Sequence, residues 1–320
     1  MASTLTPVAD PARASAPSQV SAPRPRRRRR PERWAAAAFL APLVVYLVAF
    51  YAYPLYRNVE LSLRNYTVAS FVNGGAQFTG FDNYRTVLSD PVFVQALWHT
   101  AVFTLGSLAV QFTLGMALAV FFSAHFRLSG LLRALFLVPW LLPLIVSSST
   151  WAWMLNGQSG VVNAGLHAVG LPEPQWLSSP TWSLVAVLIA NIWIGVPFNL
   201  VLLHSGLQAI SSDVNEAAAL DGAGAWQRFR HITFPLLRPV SAITLLLGLV
   251  YTLKVFDIIW IMTRGGPSNS STTLATWSYQ LSFGGLIPKF GPGAAVGNLL
   301  IVVAFLAGLL YLRYQRKAEL

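Results

Sequence analysis

The chain has 320 residues, of which 55% are hydrophobic and only 10% charged, with a mean hydropathy of +0.55. A soluble globular protein carries roughly a quarter charged residues, so this composition excludes a soluble fold and predicts one all-α polytopic membrane domain. The net charge of +11 is local, because eight of the 22 Lys and Arg residues lie before residue 34.

Residues 1–33 are rich in Ala, Pro, Ser and Arg and lack an apolar period, so they bury too little surface to offset the cost of ordering and read as a disordered basic tail. Residues 26–30 are all arginine, and an apolar run begins four residues later at Trp34. That position makes the run a topology anchor that also attracts anionic headgroups; a base-stacking surface would interleave aromatic residues, and none occurs here, so no nucleic-acid partner is expected. The apolar run at about 34–55 exceeds a signal-peptide core and reads as a retained span.

Five further spans follow at about 97–122, 131–156, 181–204, 240–263 and 295–312, giving a six-span domain over 34–320. With the amino terminus inside, sixteen Lys and Arg fall on the side of the termini and five on the other side. The positive-inside rule then places both termini and the segment 205–239 in the cytoplasm of a cell membrane.

Within that segment, Asp213 followed by Glu216 predicts a capping-box helix start, the Ala run at 217–219 favours helix, and Gly222 suits a left-handed stop. A second short helix is expected through Trp226 and Phe229, one turn apart, until Pro235 and Pro239 stop it. The product is a compact knob at the membrane surface.

The residues Glu216-Ala217-Ala218, Gly222, Ile232 and Pro235 resemble the cytoplasmic signature of the membrane subunits of ATP-binding-cassette importers: E-A-A, three residues, Gly, nine residues, I-x-L-P. One position departs, Phe234 standing where the family usually has Leu. The resemblance implies the type I importer permease fold, with this loop docking onto a separate ATPase so that Glu216, Gly222 and their neighbours transmit nucleotide-driven motion. Three further segments look like the carbohydrate branch, the maltose and glycerol-phosphate type permeases. They are Gly80-Phe81-Asp82-Asn83-Tyr84 with Asp90-Pro91, Gly160-Val161-Val162-Asn163 with Trp176-Leu177, and Phe256-Asp257-Ile258-Ile259-Trp260 with Thr263-Arg264-Gly265-Gly266-Pro267. That likeness implies an ATPase dimer, a second homologous permease subunit, an extracytoplasmic solute-binding protein and a carbohydrate substrate, in a bacterial inner membrane. ATP and magnesium would bind the partner ATPase, and no cofactor is expected in this chain.

The residues themselves agree with a transport subunit that is not an enzyme. None of Lys254, Lys289 and Lys317 lies in a G-x-x-x-x-G-K-[ST] phosphate loop. The five histidines are scattered, no span holds paired carboxylates, and the absence of cysteine excludes thiolate chemistry, so no catalytic or metal-ligating residue is expected.

Polar residues inside the spans are the remaining candidates. Lys254 and Asp257 are predicted to share one helical face of the fifth span, either lining a sugar pathway or fixing packing as a neutralising pair. Asn191, Trp193 and Asn199 flank Pro197 in the fourth span, where amides beside an aromatic face suit a sugar and equally suit interhelical packing. Gly293 and Gly297 form a small-residue step for close helix contact. The competing function is an ion-coupled carrier or channel using Lys254 and Asp257, which leaves the knob at 211–235 unexplained.

Overall fold

A computed structural model describes residues 31–318 apart from His125 and Leu286, so the basic tail up to Arg30 lies outside the described residues. The chain divides into two units at Tyr53 and Pro54. In the first unit, α1 (Pro31–Leu47) passes into a π-helical turn at Val48–Ala52, with Tyr46 and Phe50 in ring contact at 5.0 Å. Its apolar side chains are exposed on all sides, the pattern of a helix whose surroundings are hydrocarbon.

The second unit is helical throughout, and no strand forms among its described residues. From Pro54 it comprises all but the first residue of α2 (Tyr53–Ser62), then α3 (Val68–Asn73), α4 (Asp82–Ser89) and α5 (Pro91–Ser123). Asp90 and Pro91 explain the start of α5: the Asp90 carboxylate accepts the Val92 amide at 2.9 Å, and proline occupies the first helical position, where no amide is required. Next come α6 (Ser129–Leu141), α7 (Leu144–Met154), α8 (Val161–Ala168) and α9 (Ser183–Gln208). The expected continuous span at 131–156 is instead a pair bent by 94° between Leu141 and Leu144, at Pro143. Proline removes a backbone donor and crowds the preceding turn, which breaks the ladder there.

The remaining elements are α10 (Ser212–Leu220), α11 (Ala225–Arg228), a π-helical turn at Phe229–Thr233, α12 (Phe234–Leu236), α13 (Arg238–Leu253), α14 (Asp257–Met262), α15 (Leu274–Tyr279), a π-helical turn at Gln280–Gly284, and α16 (Phe290–Ala318). Four helices are individually long and apolar enough to cross a membrane, and six spans result if each of two bent pairs counts as one. The second pair is Ala225–Leu236 with Arg238–Leu253, bent by 67°.

The centre of the second unit is the α5–α9 pair, which shares its most extensive interface. Glycine permits the approach, since a Cβ at Gly115 would come within 2.5 Å of Asn199 Cβ, and one at Gly195 would overlap the Gln111 amide. At one end of this pair, Phe103, Ala186, Val187 and Ala190 pack with Ile258, Ile259 and Met262 of α14. At the other, Met116, Phe122, Leu200 and Leu203 pack with Leu237. The step at Gly293 and Gly297 behaves as expected: Ser278 donates to the Gly293 carbonyl at 2.8 Å, and a Cβ at Gly293 would overlap the Ser282 hydroxyl.

Candidate functional site

The segment from Ser211 to Pro235 forms a protrusion at the α5 carboxyl end. Ser211, not Asp213, caps α10, its hydroxyl accepting the Asp213 amide at 3.3 Å. Asp213 instead lies in the first turn, where a carboxylate interacts favourably with the helix dipole. The stop is as predicted: Gly222 has φ of 81°, a left-handed conformation that costs glycine little. Glu216, Ala217 and Leu220 point outward, Leu220 being 90% exposed, whereas Ala218 is buried. Glu216 forms no ion pair among the described residues.

Beyond Gly222, the Gly224 amide donates to Gln227 Oε1 at 2.9 Å, and Trp226 stacks on Phe229 with ring centroids 5.6 Å apart. The helical run continues through Pro235 and breaks, with a 67° bend, between Leu236 and Arg238, just before Pro239, the second of the two expected stops. The chain takes a π-helical turn over Phe229–Thr233, which contains Ile232, and Pro235 then falls in the first turn of α12, where a missing amide is harmless.

The intramembrane candidates separate into two groups. Asn191 and Asn199 are buried and committed within the chain: Asn191 Nδ2 donates to Ser107 Oγ at 2.9 Å, Gln111 Nε2 donates to the Asn191 carbonyl at 2.9 Å, and Asn199 Nδ2 donates to the Gly195 carbonyl at 3.0 Å. Their amides therefore fasten α5 to α9 or stay within α9, and Pro197 sits inside an unbroken α9. Trp193, by contrast, is partly exposed and meets Trp151 edge-on at 5.9 Å.

Lys254 and Asp257 do not share a helical face. The helix stops at Leu253, Lys254 follows as its terminal cap, and Asp257 opens α14 after a non-helical turn. No proline or glycine marks that stop. The Phe256 ring, packed on Trp260 at 5.7 Å and on Tyr279 at 4.7 Å, anchors the turn through tertiary contacts that spacing alone does not encode. Both charged side chains are exposed, with no ion pair between them, and Lys254 Nζ lies 5.0 Å from the Tyr251 ring centroid.

The three sequence segments outside the protrusion are hydrogen-bond hubs. Asn83 Nδ2 donates to the carbonyls of Ser62 at 2.9 Å and Arg64 at 3.0 Å, and the Tyr84 hydroxyl meets Ser62 and Asn298. Asn163 accepts the Trp176 indole at 2.8 Å and donates to the Gly157 and Pro174 carbonyls at 3.1 Å each. Around Gly265, with φ of 83°, the Thr272 hydroxyl donates to the Gly265 carbonyl at 2.9 Å and Gln280 donates to the Arg264 carbonyl at 2.8 Å. Ser62 and Asn298 escaped sequence reading because nothing in either neighbourhood marks them; only the fold brings them together.

The pattern of binding-protein-dependent transport system inner membrane components matches residues 111–319, which include the whole protrusion and the α5–α9 interface from Gln111 onward. The chain belongs to this family. It is a permease subunit, a multi-pass protein of the bacterial inner membrane. Among its relatives, the sulfoquinovosyl glycerol transport system permease protein of Agrobacterium fabrum is 33% identical over 90% of this chain and 92% of its own length. The trehalose/maltose transport system permease protein of Thermococcus litoralis is 34% identical over 87% of this chain and 92% of its own. The same fold occurs in a crystal structure of a bacterial ABC transporter involved in the import of the acidic polysaccharide alginate. That match has a TM-score of 0.76 at 23% identity and covers 89% of this chain and 96% of that one.

Proposed function

We propose that this permease subunit imports a carbohydrate by ATP-driven alternating access, with the protrusion at 211–235 as the element that receives the ATPase's motion. The observation that carries the reading is the protrusion itself: α10 presents Glu216, Ala217 and an almost fully exposed Leu220 outward, and ends at a left-handed Gly222. An apolar tip in water is an unfinished interface, and a separate ATPase dimer is the partner that completes it. Ile232 and Pro235 lead from that tip into α13, so a displacement of α10 is passed to a spanning helix. The reading places this loop and both termini in the cytoplasm, and an extracytoplasmic binding protein on the opposite side.

The carbohydrate assignment is supported by relatives whose transported compounds carry sugar groups and by the exposure of Trp193, Lys254 and Asp257 on this chain. An aromatic face offers a platform for sugar C–H groups, and a cation and an anion offer partners for hydroxyls. Because these side chains are exposed on this chain, a second homologous permease subunit closes the pathway over them, while Asn191 fastens α5 to α9.

Reconstitution of the complete transport complex with Glu216→Lys or Gly222→Pro tests the coupling. The expected result is normal membrane abundance with carbohydrate uptake reduced at least tenfold per ATP hydrolysed. Uptake equal to the unsubstituted complex at equal abundance refutes the reading.

A further inference from the structure

Two adjoining cavities at the base of the protrusion have no role in the coupling described above. The first, of about 220 Å³, is lined by Asn215, Arg228, Phe229 and Thr233 from the protrusion and by Ser123 and Ile210 from the ends of the helices below. Arg228 forms no ion pair among the described residues, and its Nε is buried without a hydrogen-bond partner. The side chains of Asn215 and Thr233 likewise make no hydrogen bond among the described residues. A buried guanidinium nitrogen without a partner is costly, so the cavity is built to receive an acceptor, and the charge calls for an anionic one.

The second cavity, of about 580 Å³, is apolar. Phe112, Met116, Ala117 and Val120 of α5 form one wall, and Trp226 and Phe229 close its end. It shares Val120, Ala225 and Phe229 with the first cavity, so the two meet. Residues 112, 116 and 120 recur at helical spacing and extend about 12 Å along a membrane-spanning helix. The junction lies near Ser123 and Ile210, close to the ends of α5 and α9, which is headgroup depth, and the exposed Trp226 beside it is of the type that anchors at that depth.

From these observations we infer that the paired cavities bind one anionic phospholipid, its phosphate at Arg228 and one acyl chain along Phe112–Val120. A soluble partner that pairs with Arg228 cannot reach the groove on α5, and a free phosphate leaves that groove empty. Only a ligand with an anionic head and a long apolar tail fills both. The bound lipid bridges Phe229 of the protrusion to α5 and fixes the angle at which the protrusion leaves the membrane. A net anionic headgroup compensates the guanidinium more fully than a zwitterionic one, so phosphatidylglycerol is favoured over phosphatidylethanolamine.

The test uses the full-length chain with whatever subunits co-purify. It is exchanged into nanodiscs containing phosphatidylglycerol and phosphatidylethanolamine in equal amounts, then released for native mass spectrometry of retained lipid. Arg228→Gln removes the charge, Ala117→Phe fills the groove while leaving the charge, and Arg230→Gln alters a neighbouring exposed cation. The first two variants should each lower phosphatidylglycerol retention by roughly tenfold or more, with Arg230→Gln unchanged and millimolar inorganic phosphate unable to displace the lipid. Three results overturn the proposal: Arg228→Gln retaining lipid as the unsubstituted chain does; loss with Arg228→Gln but not with Ala117→Phe, which means the occupant is a small anion or an acidic side chain; and displacement by phosphate. Should Arg228→Gln fail to assemble, a benzophenone side chain introduced at Ala117 decides: a photo-adduct with phosphatidylglycerol supports the site, and an adduct with protein, or none, refutes it.

Discussion

The two ends of the second unit's helical bundle are built differently. At the end formed by the start of α5, the start of α9 and residues 156–182 and 263–282, side chains close the loops on themselves: Asn163 holds Trp176, Gly157 and Pro174, Ser183 meets Ser270 at 2.8 Å, and Thr100 accepts the Leu274 amide at 2.9 Å. At the other end the core packs up to Leu237 and Phe229, but the protrusion beyond it is held by short-range contacts of its own, a serine cap on α10 and the Gly224–Gln227 and His231–Gln227 contacts, and it exposes Leu220. A loop that satisfies its own backbone needs no partner to be ordered. One that leaves large apolar side chains in water is completed by something else.

The largest effect that can break this comparison belongs to the closed end. Asn163→Leu keeps the branched heavy-atom shape of the side chain while removing three hydrogen bonds, leaving the Trp176 indole N–H and two carbonyls without partners. Each buried unsatisfied group costs about 1–3 kcal/mol, so a loss of about 3 kcal/mol or more is expected, read as a several-fold drop in membrane abundance and a lowered melting temperature of the purified protein. Unchanged abundance and melting would show that this end is not held by its loop.

A smaller effect at the same end sharpens the point. The Thr100 hydroxyl, buried in α5, donates to the Ala96 carbonyl at 2.7 Å and accepts the first amide of α15. Thr100→Val preserves shape but leaves the Leu274 amide without its acceptor, a cost of about 1–2 kcal/mol. Melting should fall by about half as much as for Asn163→Leu, and a fall as large as that variant's would assign the end's stability to the α5–α15 contact.

The same contrast explains what was legible in the sequence. The turn at Gly222 was written in a glycine after an alanine run and the close approach at Gly293 in a missing side chain, each a local rule satisfied locally, whereas the span expected from about 97 begins at Pro91, where Asp90 caps it. The polar segments around Asn83, Asn163 and Gly265 were legible as family-like segments, but their physical role as hubs required partners as distant as Asn298 and Gln280. The helix stop at Leu253 was illegible because aromatic packing between Phe256 and Tyr279, not a breaker residue, imposes it. For that reason Lys254 and Asp257 were expected on one face and lie on either side of a turn. Asn191 and Asn199 were ambiguous for a related reason: an amide in an apolar helix serves a pathway or a neighbouring helix equally well, and only the positions of Ser107 and Gln111 decide.

The smallest effect concerns the open end. Ser211→Ala removes the side-chain cap of α10, worth about 0.5–1 kcal/mol at an exposed helix start. Because the protrusion is joined to the core by few contacts, that cost falls on local opening and leaves global melting unchanged. Hydrogen exchange over 212–220 should therefore accelerate a few-fold in the isolated chain, while Asn163→Leu leaves the same amides unaffected. In the assembled transport complex the acceleration should shrink, since a partner seated on Leu220 supplies order that the cap no longer has to provide. An acceleration of equal size in both states would mean that α10 gains nothing from assembly, and the difference between the two ends would then reflect loop length alone and not an interface left open for a partner.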